Sequence, residues 1–112
     1  MSEFDGYDIF HEQIKAYKSM EESNKNAFDQ DKAKAEYDKR YEVALAKKIL
    51  LLRGDGMQVA IVEKVAKGDE EIADLKFQAA LCEASARASK ENINIKKKLF
   101  DSLEATKKRE LG

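Results

Sequence analysis

Proline and tryptophan are absent from this 112-residue chain, and cysteine and histidine occur once each, as Cys82 and His11. Each absence excludes something. Without proline, no helix interior has to break at a pyrrolidine ring. A lone cysteine forms no internal disulfide, and one histidine beside one cysteine removes the common metal centres built from several such ligands. His11-Glu12 also lacks the second histidine four residues on that a zinc-protease helix needs. No uninterrupted apolar run exceeds four residues, as at Ile49 to Leu52, against the roughly 20 of a spanning helix. An excess of one charge is missing too. The 21 basic and 22 acidic side chains leave a net charge of −1, which gives no global attraction to nucleic acid or to an anionic membrane. The acidic start Met1-Ser2-Glu3-Phe4-Asp5 has no signal-peptide pattern, so the expectation is a soluble protein in a reducing, intracellular setting, without a cofactor.

The five glycines, at positions 6, 54, 56, 68 and 112, therefore punctuate the chain. They leave two tracts, 7–53 and 69–111, rich in Ala, Glu, Lys, Leu and Arg, which lose little side-chain entropy in a helix. The organisation expected is an N-terminal arm over 1–10, a first helical leg over 11–53, a tip with a short helix over 54–68, and a long second helix over 69–111. Around Ser23 to Gln30, the side chains of Ser23, Asn24, Asn26 and Asp29 compete for the backbone, and the first leg is expected to bend or break there. Arg53-Gly54-Asp55-Gly56 is a turn signal. Lys67-Gly68 closes the short helix and Asp69 caps the next, with Glu70, Glu71 and Asp74 at its positive end and Lys107, Lys108 and Arg109 at its negative end.

The second helix carries a 3-4 repeat at Ile72, Leu75, Ala79, Cys82, Ala86, Ser89, Ile93, Lys96, Phe100 and Leu103, the seam of a coiled-coil-like surface. The first tract shows the same spacing at Phe10, Ile14, Tyr17, Glu21, Asn24, Phe28, Asp31, Ala35, Asp38, Glu42, Leu45, Ile49 and Leu52. A competing phase, about 100° away, runs through Tyr37, Tyr41, Ala44 and Leu51. Net charge alternates along the chain, acidic over 1–31 and 54–92, basic over 32–53 and 93–112. An antiparallel fold-back at the tip sets each block beside its opposite. The fold class is thus all-α, a long antiparallel helical hairpin with a short tip helix.

One seam hides only part of each helix, and a second stripe on the last helix, at Phe77, Leu81, Ala84, Ala88, Ile95 and Leu99, asks for further cover. Two hairpins joined in a four-helix bundle, with the small residues of 79–89 allowing close approach, supply it; the short helix and the N-terminal arm folding down are the alternative.

No catalytic constellation emerges. Cys82 lies on the apolar seam beside Glu83, which disfavours a thiolate. The pairs Glu21-Glu22 and Glu70-Glu71 are neighbours about 100° apart on a helix and do not converge. Arg53-Gly54-Asp55 reads as a turn rather than an adhesion signal. Met57 to Phe77 has a helix-turn-helix outline, but Asp69, Glu70, Glu71 and Asp74 would meet phosphates with like charge. The candidate protein-binding residues are Met57, Val59, Ile61, Val62 and Val65 at the tip and Phe77, Leu81, Ile95 and Leu99 on the second stripe. Lys96, Lys97, Lys98, Lys107, Lys108 and Arg109 are the candidates for a nucleic-acid backbone, with only Phe100 near them as an aromatic platform.

The stretch Ala46-Lys47-Lys48-Ile49-Leu50-Leu51-Leu52-Arg53-Gly54-Asp55-Gly56-Met57, followed by Ala66-Lys67-Gly68-Asp69-Glu70-Glu71-Ile72-Ala73-Asp74-Leu75-Lys76, resembles small helical proteins of phages and prophages of Gram-positive bacteria. These are often encoded among early replication and recombination genes. The resemblance covers about the second two-thirds of the chain and is densest at the tip. It implies an accessory role in a bacterial cytoplasm, through contact with a viral or host protein, and it carries no catalytic residues to this chain. The function expected is that of a non-enzymatic, dimeric phage accessory protein that binds a replication or recombination enzyme or a host defence component. Nucleic-acid binding through the basic clusters is the alternative.

Overall fold

A computed structural model describes residues 6–111. Three helices follow one another: α1 over Gly6–Gly54, α2 over Val59–Lys67 and α3 over Glu70–Leu111. The chain is all-helical over these residues. It divides into two compact units, residues 1–28 with 85–112 (unit 1) and residues 29–84 (unit 2).

Unit 2 is a helical hairpin that contains the tip. Its legs run antiparallel, as the Lys48–Asp69 ion pair (3.4 Å) and the attraction of Glu83 for Lys34 show. The tip follows from glycine chemistry. Met57 N–H donates to Leu52 C=O and Gly56 N–H to Arg53 C=O, each at 3.0 Å, the paired bonds of a Schellman motif. That motif needs a left-handed residue, and Gly56 takes it with φ +93°. The Arg53 guanidinium closes the turn on Met57 C=O at 2.6 Å. α2 then buries Val62 and Ala66, and Asp69 caps α3 by accepting from the Glu71 and Ile72 N–H groups. Ile72, Ala79 and Cys82 complete the buried set of this unit.

Unit 1 is an antiparallel pair of helix segments. Residue 13 of α1 meets 100 and 104 of α3, residues 19 and 23 meet 92, and residue 26 meets 85 and 89. Its buried positions among the described residues are Ile9, Gln13, Ala16, Ala27 and Ala86, and Ile9 is the only large apolar one among them. Small and polar residues predominate at the buried positions, with Met20, Ile93, Phe100 and Leu103 half-buried beside them.

Three expectations change. Residues 6–10 belong to α1 rather than to an arm, and residues 1–5 lie outside the described part. α1 also continues without a break through 23–30. Two of the polar side chains there, Asn26 and Ser23, bond to α3, which removes their competition for the backbone of α1. Finally, α1 faces α3 one residue out of the expected phase. Positions 9, 13, 16, 20, 23, 27 and 30 are buried or half-buried, whereas Phe10, Ile14, Tyr17 and Phe28 are exposed. Within unit 2 the competing phase holds, with Tyr37, Tyr41 and Ala44 half-buried, and it merges with Leu45, Ile49 and Leu52 near the tip; Leu51 is exposed. On α3, every position of the expected seam from Ile72 to Leu103 is buried or half-buried.

The glycines give an opposed pair of outcomes. Gly56→Ala forces a side chain into the left-handed region and should lower stability by about 1 kcal/mol. Gly54→Ala lies in helical backbone with open space around the added Cβ, and should leave stability unchanged or raise it by up to about 1 kcal/mol. Urea titrations followed by circular dichroism measure both, and equal effects would contradict the tip geometry.

Candidate binding surfaces

The tip candidates separate on α2. Val59 (68% exposed), Ile61 and Val65 stand outward, Met57 is half-buried, and Val62 is buried against the hairpin. Val62 therefore belongs to the core and cannot be a contact residue. The reason is the short amphipathic period: Val62 and Ala66 share one side, and the remaining valines and Ile61 lie around the other. On the α1 leg of the same unit, Val43, Leu50 and Leu51 are also exposed.

On α3, Phe77 and Leu81 are exposed in unit 2, and Ile95 and Leu99 are exposed in unit 1. Neither α2 nor the described part of the N-terminal region covers them. Buried Ala79 in unit 2 and Ala86 in unit 1 each lie in the chain's own seam. They are thus occupied within one copy and are not free to bring a second copy close, whereas Ala84 and Ala88 are exposed.

The basic candidates do not form one face. Lys96, Lys97 and Lys98 are consecutive and point about 100° apart. Lys96 is half-buried on the seam and the other two are exposed. Lys107 is engaged, donating to Glu104 at 2.9 Å and to the Gln13 side-chain carbonyl at 3.2 Å. Arg109 donates to the Thr106 hydroxyl, and Lys108 is exposed.

The inner face of unit 1 holds the most specific geometry. Asn26 Nδ2 donates to Ser89 Oγ at 2.6 Å and lies 3.3 Å from Ser85 Oγ. Asn92 Nδ2 donates to Ser23 Oγ at 2.7 Å and lies 3.2 Å from Ser19 Oγ. Each asparagine spans two serines four apart on the opposite helix, and the two clamps are reciprocal. Their sequence signal is a repeated Ser-x3-Ser-x2-Asn, at 19–26 and again at 85–92. Nothing in apolar periodicity points to it. Gln13, 3% exposed, extends the row by donating to Glu104 Oε2 at 2.8 Å. Beside this row lies an open groove lined by Phe10, Ile14, Tyr17 and Lys18 of α1 and by Phe100 and Glu104 of α3.

Cys82 is a buried free thiol, and His11 is exposed with its ring stacked on Tyr7 at 6.3 Å. Among the described residues, no three His, Cys, Asp or Glu side chains converge as a metal site, and no helix is long and apolar enough to cross a membrane. Comparison with protein-family models, with curated proteins and with solved structures finds no match for this chain.

Two carboxylates link the fold to pH. The Ile72 backbone N–H, with Lys48 and the Glu71 N–H, holds Asp69 below the usual carboxylate range. Gln13 and then Lys107 do the same for Glu104. A lowered folded-state pKa contributes stability above the unfolded value, and that contribution is lost as pH falls through the folded value. Stability should therefore fall between neutral pH and pH about 3, and the double variant Asp69→Asn, Glu104→Gln should show a shallower fall across the same interval. Denaturant midpoints measured along the pH series decide this; parallel curves would count against the two contacts.

Proposed function

We propose that this chain is a non-enzymatic accessory protein that works by binding another protein, and that two hairpins associate as a four-helix assembly. The observation that carries the reading is the placement of the large apolar side chains. Val59, Ile61 and Val65 on α2, Phe77 and Leu81 on the α3 leg of unit 2, and Ile95 and Leu99 in unit 1 all stand between 41% and 68% exposed. Exposed apolar surface concentrated on helix faces is what an interaction site presents. Helix faces of this kind recognise partner helices through anchors spaced three and four residues apart.

The resemblance of residues 46–76 to small phage and prophage proteins supplies the setting. The partner is a replication or recombination enzyme or a host defence component, met in the cytoplasm of a Gram-positive bacterium. Nucleic-acid binding is the competing reading. Against it stand the scattering of Lys96, Lys97 and Lys98 around α3 and the engagement of Lys107 and Arg109 within the chain.

Affinity capture from infected or lysogenic cells with the wild type, Ile61→Asp and Leu99→Asp tests the reading. One protein should be retained by the wild type and at least tenfold less by one of the two variants. In parallel, gel shifts with single- and double-stranded DNA should show no tight complex. A complex that weakens steeply between about 50 and 200 mM salt would instead favour the basic clusters.

A further inference from the structure

Unit 2 carries an open groove of about 800 Å³ between the flank of α1 and the start of α3. Its two walls differ in charge. Lys39, Arg40 and Lys47 stand exposed on the α1 wall with Glu36 at its end, a balance of +2, and Glu71 is the charged residue of the α3 wall. The floor between them is apolar, formed by Val43, which is 46% exposed, and by half-buried Ala44 and Leu75. The cations of this wall are not neutralised within the chain. Lys39 and Lys47 take part in no ion pair among the described residues, whereas Lys34 and Lys48 on the same leg are paired with Asp38 and Asp69. Arg40 lies against a ring, with its guanidinium carbon 5.7 Å from the centroid of half-buried Tyr37. A guanidinium set over a ring keeps its N–H edge for an acceptor.

Spacing along α1 defines what fits. Arg40 and Lys47 are seven residues apart, about two helical turns, and Val43 and Ala44 lie midway between them. We propose that this groove receives an acidic amphipathic helix of a partner protein, with two carboxylates seven residues apart meeting Arg40 and Lys47, and the apolar side chains between them seated on Val43, Ala44 and Leu75. Helix-in-groove recognition uses anchors at this spacing. Opposite charge on the two partners steers the encounter and sets the register, while the apolar floor supplies buried area. Glu71 adds a condition on the far wall, where it favours a cation on the partner's other flank. A nucleic-acid strand, negative at every phosphate, would meet Glu36 and Glu71 with like charge. The inference rests on the protein-binding reading above, names the chemistry of the partner, and places the contact on a face of unit 2 distinct from the tip and the second stripe.

Fluorescence anisotropy of the full chain tests this with a labelled helical peptide of alanine and glutamine that carries Glu at two positions seven apart and Leu at the third and fourth positions between them. The wild type should bind it, and the double variant Arg40→Glu, Lys47→Glu should bind it at least tenfold more weakly. Both substituted residues are exposed, so helix content should stay at the wild-type level. The deciding arm exchanges the charges: the same peptide with Lys in place of Glu should bind the double variant at least tenfold more tightly than it binds the wild type, a rescue that structural damage would not produce. Ile61→Asp at the tip should leave the affinity for the Glu peptide within about twofold. No binding of the Glu peptide to the wild type, equal binding of the two peptides, or tighter binding of a single-stranded oligonucleotide in competition with Arg40 and Lys47 intact would overturn the proposal. A wild-type dimer that the double variant loses, with no peptide bound, would give the groove to a second copy instead. The protein-binding reading fails separately: a cellular partner captured equally by the wild type and the double variant overturns the groove and leaves that reading standing.

Discussion

The reciprocal Asn–Ser clamps of unit 1 are the constraint on which the rest of that unit depends. An asparagine amide that reaches two serine hydroxyls on the facing helix requires the helices to be close, and the two clamps together, 26 with 85 and 89 and 92 with 19 and 23, fix them antiparallel and in one register. Ala16, Ala27 and Ala86 make that distance possible because they add nothing beyond a methyl group. Such bonds contribute modestly to net stability, since water is given up to form them. Their larger effect is on alternatives: a shift of register leaves half-buried amides without partners, and that costs more than the bonds contribute. Placing small and polar groups inside also has a consequence outside. Phe10, Tyr17 and Phe28 have no room in the seam and stand in solvent on the flank of α1.

The division between what could be read from the sequence and what could not follows the same chemistry. α3 was legible because its apolar repeat and its true inner face coincide, from Ile72 to Leu103. The tip was legible because Gly54, Gly56 and Gly68 bracket it and Asp69 caps the next helix. On α1 the apolar seam points to the wrong phase within unit 1, whereas in unit 2 the competing phase through Tyr37, Tyr41 and Ala44 is the inner one and merges with Leu45, Ile49 and Leu52. Apolar periodicity assigns the aromatic stripe inward, and here the inner face is set by hydrogen bonding and by side-chain size. The weak helix propensity of Ser23 to Gln30 misleads in the same way, because Ser23 and Asn26, two of the groups that compete with the backbone in isolation, are taken up by α3. Val62 was misplaced on a smaller scale, since a nine-residue apolar helix gives too few turns to separate its inner valine from its outer ones.

A helix pair specified by polar contacts has consequences for binding. Its polar contacts fix one register, while Phe10, Tyr17 and Phe28 stand exposed. Unit 2 behaves more conventionally, with Val62, Ala66, Ile72, Ala79 and Cys82 buried, and a Schellman turn and an aspartate cap holding the helix ends. Even there, α2 exposes Val59, Ile61 and Val65. Outward apolar faces on α2 and α3 are the physical basis for proposing that the chain is a binding protein. The carboxylates at Asp69 and Glu104 tie both units to the ionisation state of groups that cap and lock helices.

The most direct measurement of the central claim is a double-mutant cycle across one clamp, with Asn26→Ala, Ser89→Ala and the pair compared by chemical denaturation. If the clamp holds the register, the single substitutions each destabilise and the pair costs less than their sum, with a coupling of about 1 kcal/mol. Additive effects, with no coupling between Asn26 and Ser89, would contradict the account.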